Sequence, residues 1–140
     1  MSIALTKVYA FVENLGGVPM NLKTDQFKIA LTDTAPTTAT ALYANITSPI
    51  AGTNLSGGTP FNVTTTSATQ TSGTMKLLLA QLTLTATGAV GPFRYVVLYD
   101  STATGQPVIG WYDYASEVTM ASGDTFLVGF DTSNGVITIA

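Results

Sequence analysis

From Phe93 to Tyr99 the chain alternates, with Phe93, Tyr95, Val97 and Tyr99 on one side of an extended backbone and Arg94, Val96 and Leu98 on the other. That period of two is the signature of a strand. Large apolar groups stand on both sides, so the strand is expected to be covered on both, by a second sheet, a helix or another chain. Val108 to Tyr114 repeats the pattern, and Asp100 to Pro107 between them offers Ser, Thr, Gly and Pro for a turn. The stretch Gly91 to Tyr114 therefore predicts a β-hairpin. It holds the only Trp, the only Arg and four of the six Tyr, and the rest of the chain is expected to be arranged around it.

Near the start, Leu5, Val8, Val12 and Leu15 are spaced as one apolar stripe of a short helix over Ile3 to Leu15. Ser2 would cap it and the Gly16–Gly17 pair would stop it. The stripe predicts a lid on a sheet. Thr24 to Thr32 alternates Phe27, Ile29 and Leu31 against Lys28 and Ala30, a strand wet on one face. Thr34 to Thr40 is expected as a loop, Ala41 to Ile46 as a short ordered piece, and Ser48 to Pro60, rich in Gly, Pro, Ser and Asn, as a long exposed loop.

Phe61 to Thr69 and Thr74 to Leu79 read as strands about a turn at Gln70 to Gly73, followed by a strand from Leu82. The run from Thr64 to Ser72 has high β-propensity and no charge, the mark of a strand ready to pair if left at an edge. Glu117 to Met120 and Thr125 to Asp131 flank Ala121–Asp124, and Val136 to Ala140 follows Thr132–Gly135, giving two further hairpin signals. Eight or nine short strands with one leading helix predict an all-β fold. A jelly-roll or Greek-key sandwich, one domain over 1–140, fits best.

Composition sharpens this reading. Only 9% of residues are charged, against about 25% in ordinary soluble proteins, while 25 positions are Thr. Thr is β-branched and keeps a hydroxyl for water or a partner, so it suits a sheet surface with little charge. With four Lys and one Arg, the exposed edges lack the usual guards against strand addition. A net charge of −3 and a pI near 4.4 weigh against nucleic acid as a ligand, which demands clustered Lys and Arg. Neither a secretory leader nor a membrane span is predicted.

The chain has no His and no Cys, which removes the commonest general base, the commonest transition-metal ligand and the thiol nucleophile. Asp100, Asp113, Asp124 and Asp131 fall at predicted turns, where an Asp bonds its own backbone, so no catalytic pair of carboxylates is assigned. Asp124, Asp131 and Asn134 could supply oxygen ligands, but no calcium-loop pattern accompanies them, and no metal or cofactor is expected. Nothing assembles a nucleophile, a base and an oxyanion group, so the chain is not expected to be an enzyme. Of the aromatic set, Phe93 and Trp111 are expected in the core. Arg94, Tyr112 and Tyr114 are the candidate interface residues, since tyrosines with polar tips and a flat guanidinium suit a rim.

Four segments, LTKVYAFVENLGG, TDQFKIALTDTAP, GPFRYVVLYDSTATGQPVIGWYDY and VTMASGDTFLVGFDTSNGVITIA, together resemble small structural proteins of tailed bacteriophages, specifically the capsid cement or decoration proteins. The resemblance runs over about residues 5 to 140. It implies a jelly roll, paired as a homodimer, on the outer face of an icosahedral capsid, where it clamps neighbouring major capsid protein subunits. It carries over no catalytic or ligand residues. Two other readings stay open: a carbohydrate- or receptor-binding sandwich of a tail fibre, in which Trp111, Tyr112 and Tyr114 stack on sugars, and a head-tail connector subunit.

Overall fold

The computed structural model describes residues 4–17 and 19–140. The strands are β1 (Thr6–Lys7), β2 (Phe27–Thr32), β3 (Asn62–Val63), β4 (Thr65–Thr71), β5 (Thr74–Leu79), β6 (Leu82–Thr85), β7 (Val90–Asp100), β8 (Val108–Met120), β9 (Thr125–Val128) and β10 (Ile137–Ile139), with one helix, α1 (Tyr9–Gly17). The fold is all-β and antiparallel with one short helix. One layer is the sheet β1-β8-β7-β2-β3; facing it stand β10-β5-β4 and β6-β9.

The two layers meet in a core drawn from every sheet. Ile29, Leu31, Phe93, Val96 and Leu98 come from the large sheet, and Leu77, Leu79, Leu84, Val128 and Ile137 from the other layer. The ring of Phe93 meets Phe126 of β9 edge-on at 5.1 Å between centroids, which ties the central hairpin to the opposite layer. Burying side chains of this size contributes roughly 1.5–3 kcal/mol each.

The wiring follows from three nested antiparallel pairs: β7 with β8, β6 with β9, and β5 with β10. This is the pairing of one long ribbon folded over itself, the arrangement that generates jelly rolls. It also corrects two expectations. The turns at Ala121–Asp124 and Thr132–Gly135 do form: Asp124 Oδ2 accepts from Ala121 N at 2.8 Å, and Asp131 Oδ1 accepts from Ser133 N and Asn134 N. Neither is a hairpin. Glu117–Met120 is the end of β8 itself, and β9 and β10 leave for β6 and β5, because Val128 and Ile137 bury against the opposite layer. A turn signal fixes where the chain reverses; burial decides which strand it then meets.

The amino end differs as well. The segment before Val8 is the strand β1, paired with β8 through Thr6↔Trp111 and Lys7↔Gly110, and α1 begins only at Tyr9. The close approach depends on Gly110, where a Cβ would collide with the Thr6 carbonyl oxygen. Ser2 and Ile3, the expected cap and first helical residue, lie outside the described residues. The stripe is also different: Val8 and Phe11 are buried, whereas Val12 and Leu15 face solvent. Nor does the glycine pair stop the helix after Leu15: α1 runs on through Gly16 and Gly17. The span expected as one strand from Phe61 divides at Thr64 into β3, on the large sheet, and β4, on the facing one.

Candidate interface surfaces

The central hairpin is covered on both faces, as its pattern requires, and both covers come from this chain. Inward, Phe93, Val96, Leu98 and Tyr112 enter the main core. Outward, Val97, Tyr99, Val108 and Trp111 pack with Val8, Ala30 and Ile46, joined by Ala10, Tyr43 and Tyr95. Phe93 and Trp111 are both buried, but on opposite sides of the sheet, so the expectation that they share one core is corrected. So is the placing of Phe93 on one face with Tyr95, Val97 and Tyr99, because the register shift between Phe93 and Tyr95 breaks the alternation and turns Phe93 inward. Tyr43 stacks on Tyr99 at 4.7 Å, and burial, with Tyr43 beside it, pushes the Tyr99 phenol up to about 12.

The three candidate interface residues do not form one patch. Tyr112 is 3% exposed, its ring set edge-on against Phe130 at 6.0 Å, and burial raises its phenol. It is a core residue, which corrects its assignment to a rim. Tyr114 is half-buried against Phe126 at 5.0 Å, its phenol likewise raised by burial. Arg94 faces the other way. Its Nε donates to Asp113 Oδ1 at 2.8 Å and its Nη2 to Oδ2 at 3.1 Å, a bidentate pair between neighbouring strands, with the guanidinium 5.3 Å from the Tyr95 ring centre. That hydrogen bond holds the Asp113 carboxyl below its ordinary value. Parity explains the tyrosines: Tyr112 and Tyr114 sit two apart and share the inward face, while Asp113 between them points outward. Arg94 meets it there because the register shift between Phe93 and Tyr95 breaks the alternation that would set Arg94 with Val96 and Leu98. The chain's one guanidinium is therefore already engaged within the molecule.

What the surface offers instead is hydroxyl groups. On the outer side of β4 and β5, Ser67, Thr69, Thr71, Thr74, Lys76 and Leu78 line an open depression of about 500 Å³, while Ala68, Leu77 and Leu79 on the inner side are buried. The alternation of the two strands sorts hydroxyl from apolar groups. Among the described residues β4 is also the longest edge. The other edge strands run two residues (β1, β3), three (β10) or four (β6, β9), against seven for β4, whose residues carry no charge and no proline. The Ser48–Pro60 loop forms a second depression of about 400 Å³ with Lys28, Phe61 and Tyr99.

One polar pair has no signal in the sequence. Asp100, at the end of β7, is wholly buried; its Oδ1 accepts from Thr102 N and Ala103 N, and its Oδ2 has no partner. The carboxyl of Asp25, 75 residues earlier in the chain, lies against it, and burial with this neighbour raises the Asp100 carboxyl to about 6. The two segments are joined where Ser101 Oγ donates to Gln26 O and Gln26 N to Thr102 Oγ1. Asp100 was expected as a turn former, and it is one; the fold adds its second carboxyl. Among the described residues no three His, Cys, Asp or Glu side chains group to hold a metal ion, and no helix is long and apolar enough to cross a membrane. Compared with protein-family models, with curated proteins and with solved structures, the chain finds no match in any of the three.

Proposed function

We propose that this chain is a virion structural protein that binds the outer surface of an icosahedral phage capsid and cements neighbouring major capsid protein subunits. The observation that carries the reading is the chemistry of its surface: a sandwich presenting a hydroxyl face on which Lys76 is the one charge, and a long uncharged edge without the usual guards against a protein partner. The four segments that resemble decoration proteins support it from the side of sequence. An acidic, Lys-poor chain also suits the outside of a head filled with DNA, since inside it would meet phosphate repulsion.

Cementing requires no large interface per copy. Many copies on one lattice raise the effective concentration for each further contact, so a modest patch of hydroxyl and apolar surface, used twice by each molecule, suffices. The tail-fibre reading draws less support, because of its three aromatic residues Trp111 and Tyr112 are buried and Tyr114 alone is partly exposed to a sugar ring. Copy number tests the proposal. Gel densitometry of purified particles should give on the order of hundreds of copies, the number an icosahedral lattice presents; a dozen or fewer would mark a connector and overturn it.

A further inference from the structure

We propose that β4 is a self-pairing edge: Ser67–Thr71 adds antiparallel to the same segment of a second copy about a two-fold axis at Thr69, joining two β10-β5-β4 sheets into one. The inference does not rest on the cementing reading: a second copy takes the β4 edge and leaves the hydroxyl face of β4 and β5 open to a capsid, so pairing and attachment can each occur without the other.

The inner edge of β4 bonds β5 from Thr65↔Leu79 to Thr71↔Thr74; its outer edge has no backbone partner among the described residues. Which groups point outward follows from the turn. Ser72 at φ 52° and Gly73 at φ 83° form a two-residue loop of the primed kind, which closes on Thr71 and Thr74 as a hydrogen-bonded pair. Alternation makes Thr69↔Lys76 the next such pair, so Ala68 and Gln70 turn their N–H and C=O groups away from β5. A two-fold axis at Thr69 sets Ala68 opposite Gln70 of the second copy, twice over, giving about four inter-chain bonds.

The side chains agree with that register. On the outer face Thr69 meets its own counterpart and Ser67 meets Thr71 of the second copy, hydroxyl against hydroxyl, a favourable cross-strand pairing. No residue of the segment is charged, so the axis brings no charge against its own copy. The bulge between Thr65 and Ser67 ends the flat run, which places the axis at Thr69. What favours a second copy over a foreign strand is the outer face: under a two-fold axis at Thr69, Ser67, Thr69 and Thr71 each meet a hydroxyl of the other copy.

Sedimentation velocity on the full chain from about 1 to 100 μM, with amide exchange at low and high concentration, reads this out. A monomer–dimer equilibrium is expected, with Ala68 and Gln70 amides protected only where dimer forms. Gln70→Pro removes an outward donor and Thr69→Lys sets two ammonium groups against each other on the axis; each should weaken dimerisation at least tenfold with the far-ultraviolet spectrum unchanged. If Gln70→Pro fails to fold, Thr69→Lys, whose side chain faces solvent, carries the test alone. A monomer across the whole range overturns the inference. So do a dimer undiminished by the substitutions and Ala68 and Gln70 exchange independent of concentration.

Discussion

At the residue scale, the Asp25–Asp100 contact is where this fold is most sensitive to solution conditions. Two carboxyls lie together with no base acting on Asp100, and one of its oxygens is buried without a donor. Burial and Asp25 raise the Asp100 carboxyl from 3.8 to about 6, so the folded chain holds a proton that the unfolded chain gives up earlier. A raised carboxyl contributes stability that is complete below pH 4 and lost as pH rises through 6. Thermal melting should therefore give a Tm lower by roughly 3–6 °C at pH 7.5 than at pH 5. Asp100→Asn, which keeps an oxygen for Thr102 N and Ala103 N and adds a donor toward Asp25, should flatten that dependence. A Tm in the native chain that rises from pH 5 to 7.5 contradicts the account. None of this is visible in the sequence, where Asp100 has the spacing of an ordinary turn former, Asp25 falls within the strand expected from Thr24, and only the topology brings them together.

At the element scale, legibility depended on whether a signal was local. β5 was readable to its bounds, Thr74–Leu79, because alternation between a wet and a dry face is written within six residues. The two-sided apolar pattern of β7 was equally plain. What covers its outer face was not, since Val8, Tyr43 and Ile46 arrive from three separate segments. The hairpins expected near Gly123 and Gly135 failed for the same reason: turn chemistry is local and strand partnership is not. β1 was misread as helix because Leu5 and Val8 fit a helical stripe, and the preference of Thr6 for β8 depends on Gly110, more than a hundred residues away. The central hairpin should be the element least tolerant of change. Phe93 is fully buried between the layers, so Phe93→Ala should cost about 3–5 kcal/mol, read by urea denaturation. A loss below about 1 kcal/mol would mean that the layers do not meet there.

At the scale of the whole molecule, stability and association are assigned to different surfaces. Large aromatic side chains, which the sequence suggested for an interface, are largely spent in holding the sandwich together: Tyr112 on Phe130, Tyr114 on Phe126, Trp111 under the N-terminal segment. Thr residues and an uncharged edge remain for partners. On the proposed function, such a surface repeated over a lattice raises the barrier to shell rupture. The direct measurement is the temperature at which capsids release DNA, followed by dye fluorescence on particles lacking this protein, before and after adding it back. The account predicts release at a higher temperature after addition, by about 5 °C or more, saturating when the lattice is filled. Release at the same temperature with the protein bound would contradict it.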